Sequence, residues 1–290
     1  MRIRLFAASM LITSCVVVCG CRKNSPVAPP DSPRTPKNVT LCDLTFHSAA
    51  LNRDMQYRAV LPAGTAQKQP LPVLYLLHGG GGGFHDWSNY SDVAALAEKG
   101  WVVVMPEGNS SYYVNAFEPA QDRYEDYMVQ DLIADVESRL PVNRGRDHRA
   151  IGGVSMGGFG AVMLALKHPA LFSFVIGISS AIDVPGRPFS PKRPMQYYQH
   201  RRVFGPWGSD HRRNNDPFVL AREADPKLAM YFYLSCGDQE GLLPSNRQFA
   251  ALLKERGYSY EFHVVHGGHN WEQWNARIPE WSKSMTDRVR

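Results

Sequence analysis

Ten residues, Ile151-Gly152-Gly153-Val154-Ser155-Met156-Gly157-Gly158-Phe159-Gly160, constrain this chain more than any other stretch. An apolar run precedes them and an alanine- and leucine-containing run follows, which places Gly153 to Gly157 at a strand-to-helix turn. Glycines flanking the serine leave space where a Cβ would collide with the neighbouring strand or helix. The serine is then held in a strained conformation with its hydroxyl projecting above a sheet, the context of a nucleophile elbow. Because Gly-x-Ser-x-Gly also occurs by chance, its meaning depends on what else the chain supplies.

The surroundings supply an alternation. Thr40 to His47 and Met55 to Leu61 read as strands joined by a hairpin. The continuous apolar runs Leu71 to His78 and Trp101 to Pro106 read as strands covered on both faces. Helices are expected over Asp86 to Lys99 and Tyr124 to Leu140, the second from Val129, Leu132, Ile133, Val136 and Leu140 on one face. Beyond the elbow helix come strands at Phe172 to Ile178 and Met230 to Leu234, a helix at Pro244 to Arg256 and a final strand at Ser259 to Val265. This order predicts an α/β domain over 39–290 with a mostly parallel sheet wrapped by helices. Residues 181–228, rich in proline, arginine and aromatics with little periodicity, read as a lid or binding insertion.

The N-terminus is a different kind of sequence. Arg2 and Arg4 precede an apolar stretch, Leu5 to Val18, too short to span a membrane comfortably but suited to a signal peptide. The stretch ends in Val18-Cys19-Gly20-Cys21, similar to a bacterial lipobox, so residues 1–21 are expected to direct export with lipidation at Cys21. An ordinary secretory signal or an uncleaved anchor is the alternative. Five prolines among polar residues make 22–38 a tether. The expected location is the bacterial cell envelope, with the membrane contacted only through the lipid. A net charge of +5 is modest and comes with no nucleic-acid-binding motif, so it gives no support to nucleic-acid binding. Of the cysteines only Cys42 and Cys236 fall in the folded part; they permit one disulfide, and no metal-type cysteine spacing exists.

Gly79 to Gly83 follows a buried strand, and no lysine with serine or threonine follows as a phosphate loop requires. Bare amides offered to a developing oxyanion fit it better. A serine nucleophile also needs a base and an acid to orient the base. Candidates lie in Cys236-Gly237-Asp238-Gln239-Glu240-Gly241 and in His266-Gly267-Gly268-His269-Asn270-Trp271. With Leu77-His78-Gly79-Gly80, Trp87, Met105-Pro106 and Trp274, these motifs resemble the esterase D-type family of the α/β-hydrolase superfamily from about Val39 onward. That group includes feruloyl and tributyrin esterases, S-formylglutathione hydrolases, siderophore esterases and mycolyltransferases.

The resemblance implies an α/β-hydrolase fold, Ser155 as nucleophile, His269 as base, and the amides of Gly80 and Met156 as oxyanion hole. It places the acid at Glu240, with Asp238 as the alternative. It also implies hydrolysis of carboxylic esters through an acyl-enzyme, without cofactor or metal. Small-molecule or polysaccharide esters bearing short-acyl, acetyl or feruloyl groups are the expected substrates, and Tyr112, Tyr113, Asn115 and Trp271 are the candidate contacts. Core packing is the competing account of those aromatics. Acyl transfer, siderophore-ester hydrolysis, an inert ligand-binding lipoprotein and a metal site at His263, His266 and His269 are the competing functions.

Overall fold

The computed structural model describes residues 30–64, 69–228 and 230–289, and the described residues from Ser32 onward form one compact unit. The export segment 1–21, Cys21 included, and residues 22–29 of the tether lie outside the described residues. The end of the tether is tied down: Ser32 N donates to Asn89 Oδ1 (3.2 Å) and Arg34 N to Ser88 O (2.8 Å).

Among the described residues eight strands make one sheet. They are β1 (Val39–Ser48), β2 (Arg53–Pro62), β3 (Val73–Leu77), β4 (Val102–Pro106), β5 (Arg149–Val154), β6 (Phe174–Ile178), β7 (Tyr231–Gly237) and β8 (Ser259–Val265). Their spatial order is β1-β2-β4-β3-β5-β6-β7-β8. The β1–β2 hairpin and the β2–β4 pair are antiparallel, and every later pairing is parallel. β5, which leads into the elbow, lies between β3 and β6, so the loops that follow these strands converge at one edge.

Strand alternation divides the core into two layers. Tyr75, Leu77, Ile151, Val175 and Phe232 face one layer, while Leu74, Leu76, Ala150, Ile176 and Tyr233 face the other. The helices are α1 (Asp86–Tyr90), α2 (Tyr124–Asp126), α3 (Ile133–Arg139), α4 (Met156–Lys167), α5 (Pro194–Phe204), α6 (Asp210–Arg213), α7 (Pro217–Glu223), α8 (Leu243–Arg256), α9 (Trp271–Asn275) and α10 (Ile278–Thr286). Phe159 and Val162 of α4 and Phe249 and Leu253 of α8 fill the first layer, and Trp87, Trp274, Trp281 and Met285 fill the second. Each such fully buried large side chain stabilises the fold by roughly 1.5–3 kcal/mol.

Three expectations need correction. The single helix over 86–99 is α1 followed by a 3-10 helix, Val93–Lys99, because Ser91 turns extended and its hydroxyl donates to Trp87 O (2.5 Å). The helix from Tyr124 is continuous but widens to a π-helix over Tyr127–Leu132 before α3. The insertion is not irregular: α5, α6 and α7 occupy it. Pro194 and Pro217 open helices rather than break them, Ser209 and Asp216 cap the next two, and His200 and Phe204 bury the inner side of α5. Helices α9 and α10 were absent from the sequence reading, although Ile278, Trp281, Ser282 and Met285 carry the helical period.

Candidate active site

Ser155 sits between β5 and α4 at φ 56°, ψ −114°, a conformation costly for a residue with a Cβ. Several backbone hydrogen bonds hold it there. Its amide donates to Ile178 O (2.9 Å), and its carbonyl accepts from Phe159 N and Ala181 N (3.0 Å each). The flanking glycines are required by space. A Cβ on Gly157 would lie 2.4 Å from Leu77 O, and one on Gly153 would lie 2.5 Å from the Gly157 carbonyl carbon.

The loops after β7 and β8 bring the other groups in. His269 Nε2 is 3.0 Å from Ser155 Oγ, and His269 Nδ1 is 2.7 Å from Glu240 Oε2. The other oxygen of Glu240 accepts from Ser179 Oγ (2.6 Å) and the Gly237 amide (2.9 Å). Trp274 Nε1 donates to Ser179 Oγ (3.0 Å), and the Trp274 ring stands edge-on to His269. The Glu240 side chain is 1% exposed. Burial by itself would raise its pKa, but hydrogen bonds from His269, Ser179 and Gly237 outweigh it and hold the carboxyl below the usual glutamate range. An ionised Glu240 keeps the proton on Nδ1 and leaves Nε2 free to accept from the serine.

Asp238 does something else. It accepts from the Gly267 amide (3.0 Å) and pairs with His266 Nδ1 (3.1 Å), and these contacts hold its carboxyl below the ordinary value. The two acid and histidine candidates are thus sorted into separate pairs. His263 lies between Glu261 and Glu280 (2.9 and 3.0 Å), so His263, His266 and His269 each face different carboxylates and do not converge on a metal position. Cys42 and Cys236 are both free thiols, and burial pushes Cys236 up to about 12.

Gly80 follows β3 beside the elbow, where a Cβ on it would lie 3.9 Å from Met156 Cβ. Met156 opens α4, so its amide has no acceptor within the helix. The loop carrying Gly80 is anchored by His78, which is 1% exposed. Its Nε2 accepts from Gly108 N (2.9 Å), which leaves Nδ1–H to donate to Gly79 O (2.7 Å).

A cleft of about 860 Å³ opens over Ser155 and His269, bounded by Tyr112, Arg187, Tyr197 and His200. A second cavity, about 450 Å³, adjoins Gly80 and Met156 and is walled by Asn109, Tyr112, Tyr124 and Arg202. Tyr112 belongs to both walls. At φ 56° its ring rests edge-on against Phe159 and Phe204, and its hydroxyl meets His200 Nε2 at 3.0 Å. Burial, with Arg187 and Arg212 nearby, lowers His200 to about 4, so the ring is neutral.

The other three candidate contacts are placed differently. Tyr113 is fully buried, its ring where a Cβ on Gly160 would stand, and its hydroxyl donates to His78 O. Asn115 accepts from the Asp126 amide and so steadies α2. Trp271 packs against Trp87, Tyr90 and Trp274 behind His269. Ser179 was missed from sequence; the only signal is its place at the end of β6 beside the converging loops.

Fold and chemistry together define a class, the serine esterases with an α/β-hydrolase fold. The family model described as "Putative esterase" matches residues 48–285, and the chain belongs to that family. It is 30% identical over 271 residues to an acetyl esterase of Caldicellulosiruptor saccharolyticus, spanning 86% of this chain and 100% of that protein. An endo-1,4-beta-xylanase/feruloyl esterase of Xylanibacter ruminicola is 21% identical over 258 residues, spanning 83% of this chain and 31% of that longer protein. Among solved structures, the substrate-bound fluorophosphonate-binding serine hydrolase F of Staphylococcus aureus superposes with a TM-score of 0.74 at 22% identity. That alignment covers 87% of this chain and 99% of the other, a likeness of fold.

Proposed function

We propose that the chain hydrolyses short-acyl, acetyl or feruloyl esters of carbohydrate through an acyl-enzyme on Ser155. The observation that carries this reading is the continuous contact from Ser155 Oγ through His269 to the buried Glu240. His269 Nε2 takes the hydroxyl proton as Oγ bonds to the ester carbonyl carbon. The carbonyl oxygen gains the negative charge and faces the amides of Gly80 and Met156. Collapse breaks the bond to the alcohol, which leaves with the proton from His269. Water, deprotonated by the same nitrogen, then releases the acid. Glu240 stays ionised throughout and stabilises the imidazolium.

Support for a carbohydrate ester comes from Asn109, Glu118, Asp122 and Arg202 in the wall of the second cavity and from the names of the acetyl and feruloyl esterase relatives. Purified protein is expected to release p-nitrophenol from p-nitrophenyl acetate and to carry an acetyl group on Ser155 when quenched early. Ser155→Ala should abolish both, and full turnover by that variant refutes the assignment. A panel of methyl ferulate, acetylated xylan, tributyrin and a siderophore ester ranks the substrates. Export and lipidation at Cys21 belong to the same proposal and rest on the N-terminal sequence; absence of acyl modification on protein from a bacterial envelope would exclude them.

A further inference from the structure

Positive charge gathers in the insertion that borders the cleft. From Arg187 to Arg213 it carries seven arginines and lysines and one carboxylate, Asp210, for +6 in a protein of net charge +5. Three of the seven are committed. Arg187 pairs with Asp183, Arg213 pairs with Glu223, and the buried Arg212 bonds the carbonyls of Pro185 and Gly205. The other four, Lys192, Arg193, Arg201 and Arg202, are exposed and make no side-chain hydrogen bond or ion pair among the described residues.

Apolar surface gathers in the same place. Phe189, Met195, Tyr198 and Trp207 are 52%, 70%, 57% and 57% exposed, and Phe117, which touches His211, is 38% exposed. Helix α5 explains the combination. With His200 and Phe204 buried, the helical period turns Met195, Tyr198, Arg201 and Arg202 outward. Trp207 is steadied by the Arg212 guanidinium 5.8 Å from its ring centre. The patch is continuous with the cleft, since Arg193 and Tyr197 line the space over Ser155.

We infer that this surface docks an anionic glycan, so that the ester cleaved at Ser155 is presented on a carboxylate-bearing polysaccharide; this rests on the esterase reading above. Guanidinium groups pair with carboxylates in a fixed fork, and exposed aromatic rings give sugar faces an apolar platform. Neither alone selects this partner. A neutral glycan would use the rings and leave the cations unpaired, and a polyanion without sugar rings would use only the cations.

The test uses the full chain and measures binding to polygalacturonate, neutral arabinoxylan, polyglutamate and phosphatidylglycerol vesicles at low and high salt. Polygalacturonate is expected to bind best, with affinity falling as salt rises. The double variant K192E/R201E, whose positions line neither cavity, should weaken that binding roughly tenfold or more. It should leave p-nitrophenyl acetate turnover unchanged and raise KM on acetylated polygalacturonate. Trp207→Ala should weaken polygalacturonate binding while leaving its salt dependence intact. Equal binding of arabinoxylan or polyglutamate, binding to vesicles alone, or undiminished binding by K192E/R201E would each overturn the inference. Loss of the esterase reading would show separately, as wild-type protein inactive on p-nitrophenyl acetate.

Discussion

Replacing Ser179 with alanine tests how the buried carboxylate is held. The hydroxyl is one of three donors to Glu240 and the acceptor for Trp274 Nε1, in a residue only 7% exposed. A hydrogen bond to a charged group contributes about 1.5–3 kcal/mol, and a stranded buried donor costs about 1–3 kcal/mol. One hydroxyl serves both contacts and the site can relax, so the expected destabilisation at neutral pH is about 2–4 kcal/mol. Its pH dependence separates the two parts. Because the folded pKa of Glu240 is lowered, its stabilisation is present above the unfolded value and is lost as pH falls through the folded one. Ser179→Ala raises that folded value, so the carboxylate share of the deficit fades as pH falls from the variant's folded value through the lower wild-type one, while the Trp274 share remains. Urea unfolding of both proteins across that range is the assay. A deficit independent of pH, or one under about 0.5 kcal/mol, refutes the assignment of Ser179 as a support for Glu240.

Glu240→Gln should lower kcat by roughly 10³–10⁴, as expected when the histidine loses its orienting charge, while Asp238→Asn stays within about tenfold of wild type. Reversed sensitivities on p-nitrophenyl acetate would show that Asp238 serves His269. Gly80→Pro removes an amide worth about 3 kcal/mol to the transition state, roughly 10² in kcat, whereas Gly80→Ala adds a Cβ in ordinary contact with Met156 and should be mild. Comparable kcat values for the two variants would exclude the Gly80 amide as a donor. Because His200 is lowered from 6.5 to about 4, the unfolded chain binds the extra proton between those values and stability should fall as pH drops through that window. The full effect is about 3 kcal/mol at about 1.4 per unit. His200→Phe should flatten that part of the stability profile measured in urea, and an unchanged slope would remove His200 as its source.

Much of the fold was legible because its physics is local. Continuous apolar runs mark strands covered on both faces, and β3, β4 and β6 appear within two residues of where those runs lie. The elbow was legible for the same reason, since Gly153 and Gly157 record how closely β3 and α4 approach Ser155. The helices of the insertion were not legible because proline both ends and begins helices, and only burial of His200 and Phe204 shows which happens at Pro194.

What the sequence by itself determined is the set of participants: a serine at a strand-to-helix turn, a glycine loop, two carboxylates and histidines at the ends of later strands. Tertiary structure decided how they pair. Asp238 and Glu240 lie two positions apart with similar chemistry, and choosing between them takes the loops after β7 and β8 laid side by side. There Asp238 turns outward to His266 and Gly267, while Glu240 turns inward to Ser179, Gly237 and His269. The same holds for Tyr112 and Tyr113, adjacent tyrosines of which one walls the cleft and the other fills the core. A side chain's role depends on its direction, and direction is set by contacts far away in sequence.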